Sequence, residues 1–512
     1  MKVNPGESSL GRVWPHASQP AAVSGAASDP QATPRVNPWV SMPDRMRYLL
    51  IAALIVFTLV CVVGALANTS QNTASPLLAL STFAYLTAVA WPLIRYDRAQ
   101  HGFFHPLVFG TLVIMVRTLP RSLSLFINGL DEHAVLPLSA EELTRLVAYA
   151  NFLNALALVC TYVGFYWVRR PVLPLLRFAP PKRLWLAVAG MGGISLCALA
   201  LLVQMSGSLS QHILNLSLNS AAKVFVEDPA GLGLLGAMGG WFAMTLAMAL
   251  AYRPELLRKP LFWVLAVVAL GIVYLASGKR SLLFAPVAIG AIVWMSRTQR
   301  VPVGRLLLLG AGVFASFSLL LVVRQASSFS GGAKNLDDLA AIVGERAGGS
   351  LDASLEELSY RAGSYSSLYP ILHYVPSEVP LLWGQSYLVI LARPIPRVLW
   401  PDKPRGTDYL TGVTFFNAIW GIPPGPVGEA YWNFHIPGVV GVFLLLGIFL
   451  RWLHNLFLQY GKHGLMVFFF AFTMFILSPT ENTITQWLLA LLPMLIFAAF
   501  TGAVRRGSPT GV

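Results

Sequence analysis

Apolar runs long enough to cross a lipid bilayer recur along this chain, at about residues 48–67, 76–94, 103–119, 146–168, 184–205, 231–252, 260–276, 281–295, 305–323, 436–453, 464–478 and 485–504. A helix needs roughly 20 residues to traverse the ~30 Å hydrocarbon layer. Inside that layer every backbone N–H and C=O has to bond within its own segment. The runs are continuous rather than alternating polar with apolar, which excludes the strands of a membrane β-barrel. The expected fold is therefore all-α, a polytopic membrane protein of about twelve transmembrane helices. Composition agrees: 56% of residues are hydrophobic and 11% charged, against roughly 25% charged in a soluble chain. A soluble enzyme, a disordered protein and a collagen-like fibre are excluded.

The formal net charge of +14 would suggest a nucleic-acid partner in a soluble protein. Here the charges are read against the bilayer. Residues 1–44 are polar and rich in Pro, Ser and Ala, and read as a disordered tail. Arg45 and Arg47 precede the first apolar run, as in an uncleaved anchor. With the N-terminus in the cytoplasm, 22 of the 36 Lys and Arg fall in cytoplasmic segments with only five acids. Every short cytoplasmic loop is then basic, as the positive-inside rule requires. Both termini are expected in the cytoplasm, and no nucleic-acid partner is implied. The organisation is a tail (1–44), helices one to nine (45–324), a large outer loop (325–435), helices ten to twelve (436–505) and a short tail (506–512). Cys61, Cys160 and Cys197 each lie in an apolar run and read as packing residues.

The outer loop of about 111 residues is long enough to carry function. Its stretch Leu381 to Trp400, interrupted by Pro394 and Pro396, reads as a segment lying along the membrane surface. The outer cations are the informative ones, because topology disfavours them. Lys279 and Arg280 occupy a Ser-Gly-Lys-Arg-Ser turn between helices seven and eight. They read either as a clamp for a lipid-linked phosphate, which arginine grips bidentately, or as snorkelling cations in a solvated turn. Arg324 directly follows helix nine, as an interfacial anchor or a second phosphate contact. Arg361 lies among Ser359, Tyr360, Ser364 and Tyr365, a mixture of rings and hydroxyls suited to sugars and also common in plain loops. Arg393, Arg397, Lys403 and Arg405 occur within thirteen residues stiffened by four prolines. Proline pre-organises side chains at low entropic cost, which favours anion binding there.

Glu429 falls within a few residues of the expected bilayer edge, where an unpaired carboxylate is costly. Either it pairs with a loop arginine, or burial raises its pKa and it serves as a general base. His435 is a second candidate for that role, or a satisfied structural histidine. No phosphate-binding loop, dinucleotide fingerprint, EF-hand or H-E-x-x-H pattern occurs, so neither a nucleotide nor a metal is implied.

Two local patterns resemble the O-antigen polymerase (Wzy-type) family of oligosaccharide repeat-unit polymerases: Pro396-Arg397 with Trp400 and Lys403-Pro404, and Gly428-Glu429-Ala430-Tyr431 with Asn433-Phe434 and Pro437-Gly438. The turn at 277–281 is also similar to the family's. The resemblance implies a GT-C-like membrane fold and a metal-independent glycosyltransferase without a cofactor, in the bacterial inner membrane. Donor and acceptor would be undecaprenyl-pyrophosphate-linked oligosaccharides at the periplasmic face, within reach of membrane lipid and of a chain-length regulator. It makes Glu429 and Arg280 catalytic, and Lys279, Arg324, Arg361, Arg393, Arg397, Lys403, Arg405, Tyr431 and His435 substrate-binding. The related O-antigen ligases, which carry a histidine with a glycine eleven positions on, match at His373 and Gly384. A lipid-linked sugar transporter is the non-enzymatic alternative, though it would place charges in mid-span.

Overall fold

The computed structural model describes residues 42–67, 72–97, 104–115, 136–168, 176–218, 232–277, 280–298, 365–393, 402–418, 421–476 and 478–506, with a few isolated positions besides. It is helical almost throughout. The helices are α1 (Asp44–Ala67), α2 (Ser75–Ile94), α3 (Pro106–Met115), α4 (Ala140–Trp167), α5 (Leu184–Met205), α6 (Leu209–Leu218), α7 (Leu232–Gly239), α8 (Trp241–Tyr252), α9 (Pro260–Ser277) and α10 (Arg280–Thr298). After a break come α11 (Tyr365–Tyr374), α12 (Gln385–Ala392), α13 (Thr407–Phe416), α14 (Gly425–Tyr460), α15 (Gly464–Ile476) and α16 (Glu481–Thr501). Two three-residue strands, β1 (Leu176–Phe178) and β2 (Val504–Arg506), pair antiparallel.

Among the described residues, eight helical segments are long and apolar enough to cross a membrane. They cover α1, α2, α4, α5, the α7–α8 pair from Leu234, α9, α14 and α16. The chain is thus a polytopic membrane protein. The expected spans at 103–119 and 464–478 occur as the shorter helices α3 and α15. The expected span at 281–295 falls on α10, interrupted by Pro286, and the one at 305–323 lies mostly outside the described residues. Large apolar side chains such as Leu59, Val63, Val267, Leu201 and Leu495 stay exposed on these helices, as lipid-facing positions require.

The helices run alternately up and down. At one end, helix C-termini gather under arginines. Arg47 donates from Nε to the Leu93 carbonyl (2.9 Å) and from its guanidinium to that of Ile94 (3.0 Å). Arg297 likewise bonds the carbonyls of Ala251 (2.7 Å) and Lys462 (2.8 Å). These oxygens lie at or just past helix C-termini, where cations complement the negative end of the dipole. The β1–β2 pair lies at this end, and Phe178 stacks on His463 with ring centres 4.6 Å apart. At the opposite end lie the starts of α2, α4 and α16, with α11, α12 and α13.

The long pair α4–α14 joins the two ends. Its backbones approach closely because glycines face each other. A Cβ at Gly447 would stand 2.1 Å from the Thr161 carbonyl oxygen, and one at Gly164 2.1 Å from that of Leu444. Small residues at such a crossing are the usual means of packing helices in lipid. The start of α4, α11 and the first third of α14 form their own apolar core around Leu143, Val147, Leu368, Ile371, Val427 and Trp432.

Candidate active site

The site begins with a break in α14. Phe434 (φ −141°, ψ 21°) and His435 (φ 58°, ψ −146°) are not helical, so 425–433 is one helix and 436–460 another. Pro437 has no N–H to offer the Asn433 carbonyl four residues back. Loop main chain replaces the missing donors: Leu382 N bonds Trp432 O at 3.0 Å and Trp383 N bonds Asn433 O at 3.1 Å. Gly438 is needed at the bend, because a Cβ there would meet the Ala430 carbonyl oxygen at 2.1 Å. The span expected at 436–453 begins just after this break, and Glu429 precedes it.

Glu429 is fully buried. Its Oε1 accepts from Ser386 Oγ (2.8 Å), Thr407 Oγ1 (3.2 Å) and the Glu481 backbone N–H (3.1 Å), and its Oε2 shares that N–H at 3.1 Å. Asn433, one turn on, donates to Ser386 Oγ (2.7 Å) and accepts from Gly384 N (2.9 Å). Arg393 pairs not with Glu429 but with Glu481, a second buried carboxylate. Arg393 Nε reaches Glu481 Oε1 at 2.8 Å and its Nη2 reaches Oε2 at 3.1 Å, a two-pronged ion pair. Thr485 Oγ1 adds a bond to Glu481 Oε1 (3.2 Å), and Thr407 N one to Oε2 (3.4 Å).

Three helices start at this point. Ser386 lies in the first turn of α12, Thr407 opens α13 and Glu481 opens α16. Helix N-termini carry unpaired N–H groups and partial positive charge. Together with Arg393 they make a pocket of positive potential around two acids. Gly406 makes the pair possible: a Cβ there would lie 2.2 Å from Arg393 Nη2 and 2.9 Å from Glu481 Oε2. Burial pushes the Glu429 carboxyl up to about 7, the neighbouring Glu481 and Asp408 charges push the same way, and the Ser386 and Glu481 N–H bonds oppose. Tyr387, next to Ser386, has its hydroxyl buried with no hydrogen-bond partner among the described residues. Burial and then the Glu429 charge push that phenol upward.

Other sequence candidates stand around this cluster or apart from it. Lys403 folds back so that Nζ donates to the carbonyls of Arg393 and Ile395, each at 2.9 Å. Arg405 lies over the Tyr409 ring, 4.2 Å from its centre. Tyr431 points to the other side of its helix, edge-on to Tyr149 of α4, and its hydroxyl bonds His435 Nε2. Neither Tyr431 nor His435 joins the Glu429 network. Lys279, Arg324, Arg361 and Arg397 lie outside the described residues, and so does the side chain of Arg280, which opens α10. Among the described residues of the surface segment expected over Leu381 to Trp400, Gln385–Ala392 is helical, with Ser386, Val389 and Ala392 buried and Leu388 and Leu391 exposed.

Sequence reasoning missed Glu481. The signal was present: Glu481 stands four residues before the expected span at 485–504, the same edge position that singled out Glu429. Comparison with protein-family models, with curated proteins and with solved structures gave no match.

Proposed function

We propose that the chain is a membrane glycosyltransferase that polymerises undecaprenyl-pyrophosphate-linked oligosaccharide repeat units at the outer face of the bacterial inner membrane. The observation that carries the reading is the buried pair Glu429–Glu481, with Arg393 gripping Glu481, at the helix ends opposite the arginine-capped face. A transfer from lipid pyrophosphate needs a group to take a proton from the acceptor hydroxyl and a cation to hold the departing pyrophosphate. Two carboxylates and Arg393, with Lys403 and Arg405 on the following segment, supply both kinds of group within one cluster. On this reading the arginine-capped face is cytoplasmic and the GT-C-like arrangement surrounds the carboxylates.

The test is purified protein in detergent given a lipid-pyrophosphate-linked oligosaccharide alone. A ladder of lengthened lipid-linked products is expected, and Glu429→Gln, which weakens the hold on the Glu481 main chain, should slow its growth. Transfer only to an added lipid A core would instead identify a ligase. Movement of the lipid-linked sugar with no new glycosidic bond would identify a transporter.

A further inference from the structure

Glu429 is closed in. Both carboxylate oxygens are engaged, and the residue has no exposed surface. An acceptor hydroxyl would have to displace Ser386, Thr407 or the start of α16 to reach it. Glu481 is placed differently. Its side chain is 0% exposed, while that of Arg393, which grips both of its oxygens, is 35% exposed. Arg393 thus stands between Glu481 and the outside. It also ends α12 and leads into the proline-stiffened segment carrying Lys403 and Arg405. A pyrophosphate carries more charge than a carboxylate and takes the same two-pronged guanidinium bond.

We infer that Arg393 is a latch: a lipid-linked pyrophosphate draws its guanidinium away from Glu481, and Glu481, thus uncovered, takes the proton of the acceptor hydroxyl. This rests on the polymerase reading and names Glu481 as the catalytic carboxylate of that same site. In the step, the acceptor O–H bond breaks and its proton passes to the Glu481 carboxylate. The acceptor oxygen forms the new bond to the anomeric carbon. The bond from that carbon to the pyrophosphate oxygen breaks, and the electron pair leaves with the lipid pyrophosphate, whose charge Arg393 meets. Glu429 is a positioning residue. It holds the main chain of Glu481 through the N–H shared by its two oxygens, so the start of α16 stays fixed while the Glu481 side chain changes partner. The buried Tyr387 hydroxyl, without a hydrogen-bond partner among the described residues, marks where an arriving sugar hydroxyl finds a hydrogen bond, since buried polar groups are ordinarily satisfied.

The latch is tested on wild-type protein in detergent by carboxyl labelling with a water-soluble carbodiimide and an amine, mapped by mass spectrometry. Glu481 should be protected in the free protein and label several-fold more with undecaprenyl pyrophosphate present, while Glu429 stays protected. The same rise with inorganic pyrophosphate would support the latch and place recognition in the phosphates alone. Arg393→Gln should label at Glu481 without any lipid, and Glu481→Gln should abolish the ladder while unfolding at a temperature close to wild type. Glu481 labelling that lipid pyrophosphate leaves unchanged overturns the latch. So does full ladder growth by Glu481→Gln. If the lipid uncovers Glu481 in a protein that makes no ladder, the polymerase reading fails and the latch stands.

Discussion

The two ends of the helix bundle neutralise their dipoles in opposite ways. At one end, the partly exposed Arg47 and Arg297 reach main-chain carbonyls at or just past helix C-termini. At the other, Glu429 and Glu481 sit at helix N-termini with no exposed surface. The electrostatic logic is the same and the consequence is not. An exposed charge at a helix end is worth about 0.3–1 kcal/mol and is screened by salt. Buried charges repay their desolvation only through close partners, and losing one partner is severe. The first arrangement complements helix dipoles at small cost; the second keeps two acids buried, which only their close partners make tolerable.

Four changes bear on that contrast. The largest effect is expected for Arg393→Ala, which leaves Glu481 buried without its cation. A stability loss of about 3 kcal/mol, read as a lowered unfolding temperature in detergent, should accompany loss of polymer. Next is pH. The Glu429 carboxyl, raised to about 7 from 4.5, holds its proton in the folded state at pH values where the unfolded chain has released it. Stability is therefore full below about 4.5 and declines as pH rises through about 7. Between about pH 5.5 and 8 the loss is roughly 2 kcal/mol, and Glu429→Gln should remove it. A wild-type unfolding temperature that tracks the Gln variant across this range would contradict the buried, protonatable state. Gly406→Ala should come third. Its Cβ would collide with the Arg393 guanidinium, and overpacking of this kind costs about 1–3 kcal/mol, with ladder growth falling in parallel. Arg297→Ala at the other end should change stability by less than about 1 kcal/mol and leave ladder length unaltered. A large loss there would erase the distinction between the ends.

Much of the bundle was legible because lipid imposes one rule on every span: a long apolar run must become a helix. The bend at Phe434–His435 falls at the end of the expected outer loop, because Pro437 and the polar residues before it interrupt the run. Where chemistry depends on pairing, the sequence was less direct. Glu429 stood out as an acid at a bilayer edge, yet its partners come from residues 386, 407 and 481, on three helices besides its own. Arg393 reads as one cation of a basic, proline-rich segment. That it grips an acid 88 positions away follows from no local pattern. Its reach depends on Gly406, whose missing side chain is informative only once the fold has placed it. The surface segment expected over Leu381 to Trp400 shows a helix over part of its length among the described residues, since prolines interrupt its apolar run. The helix starts after the left-handed pair Trp383 and Gly384 and ends before Pro394.

The main-chain bonds from Leu382 and Trp383 to the broken turn of α14 act as a depth gauge. They tie the loop to the membrane helix through backbone atoms, so side-chain replacements other than proline leave them in place. If 436–460 rides up or down to match a thicker or thinner bilayer, Ser386 and Arg393 travel with it by the same distance. Glu429 then keeps one level with its loop partners, and its bonds to the Glu481 main chain tie the start of α16 to the same level, so membranes of different thickness should shift the whole cluster rather than pull it apart.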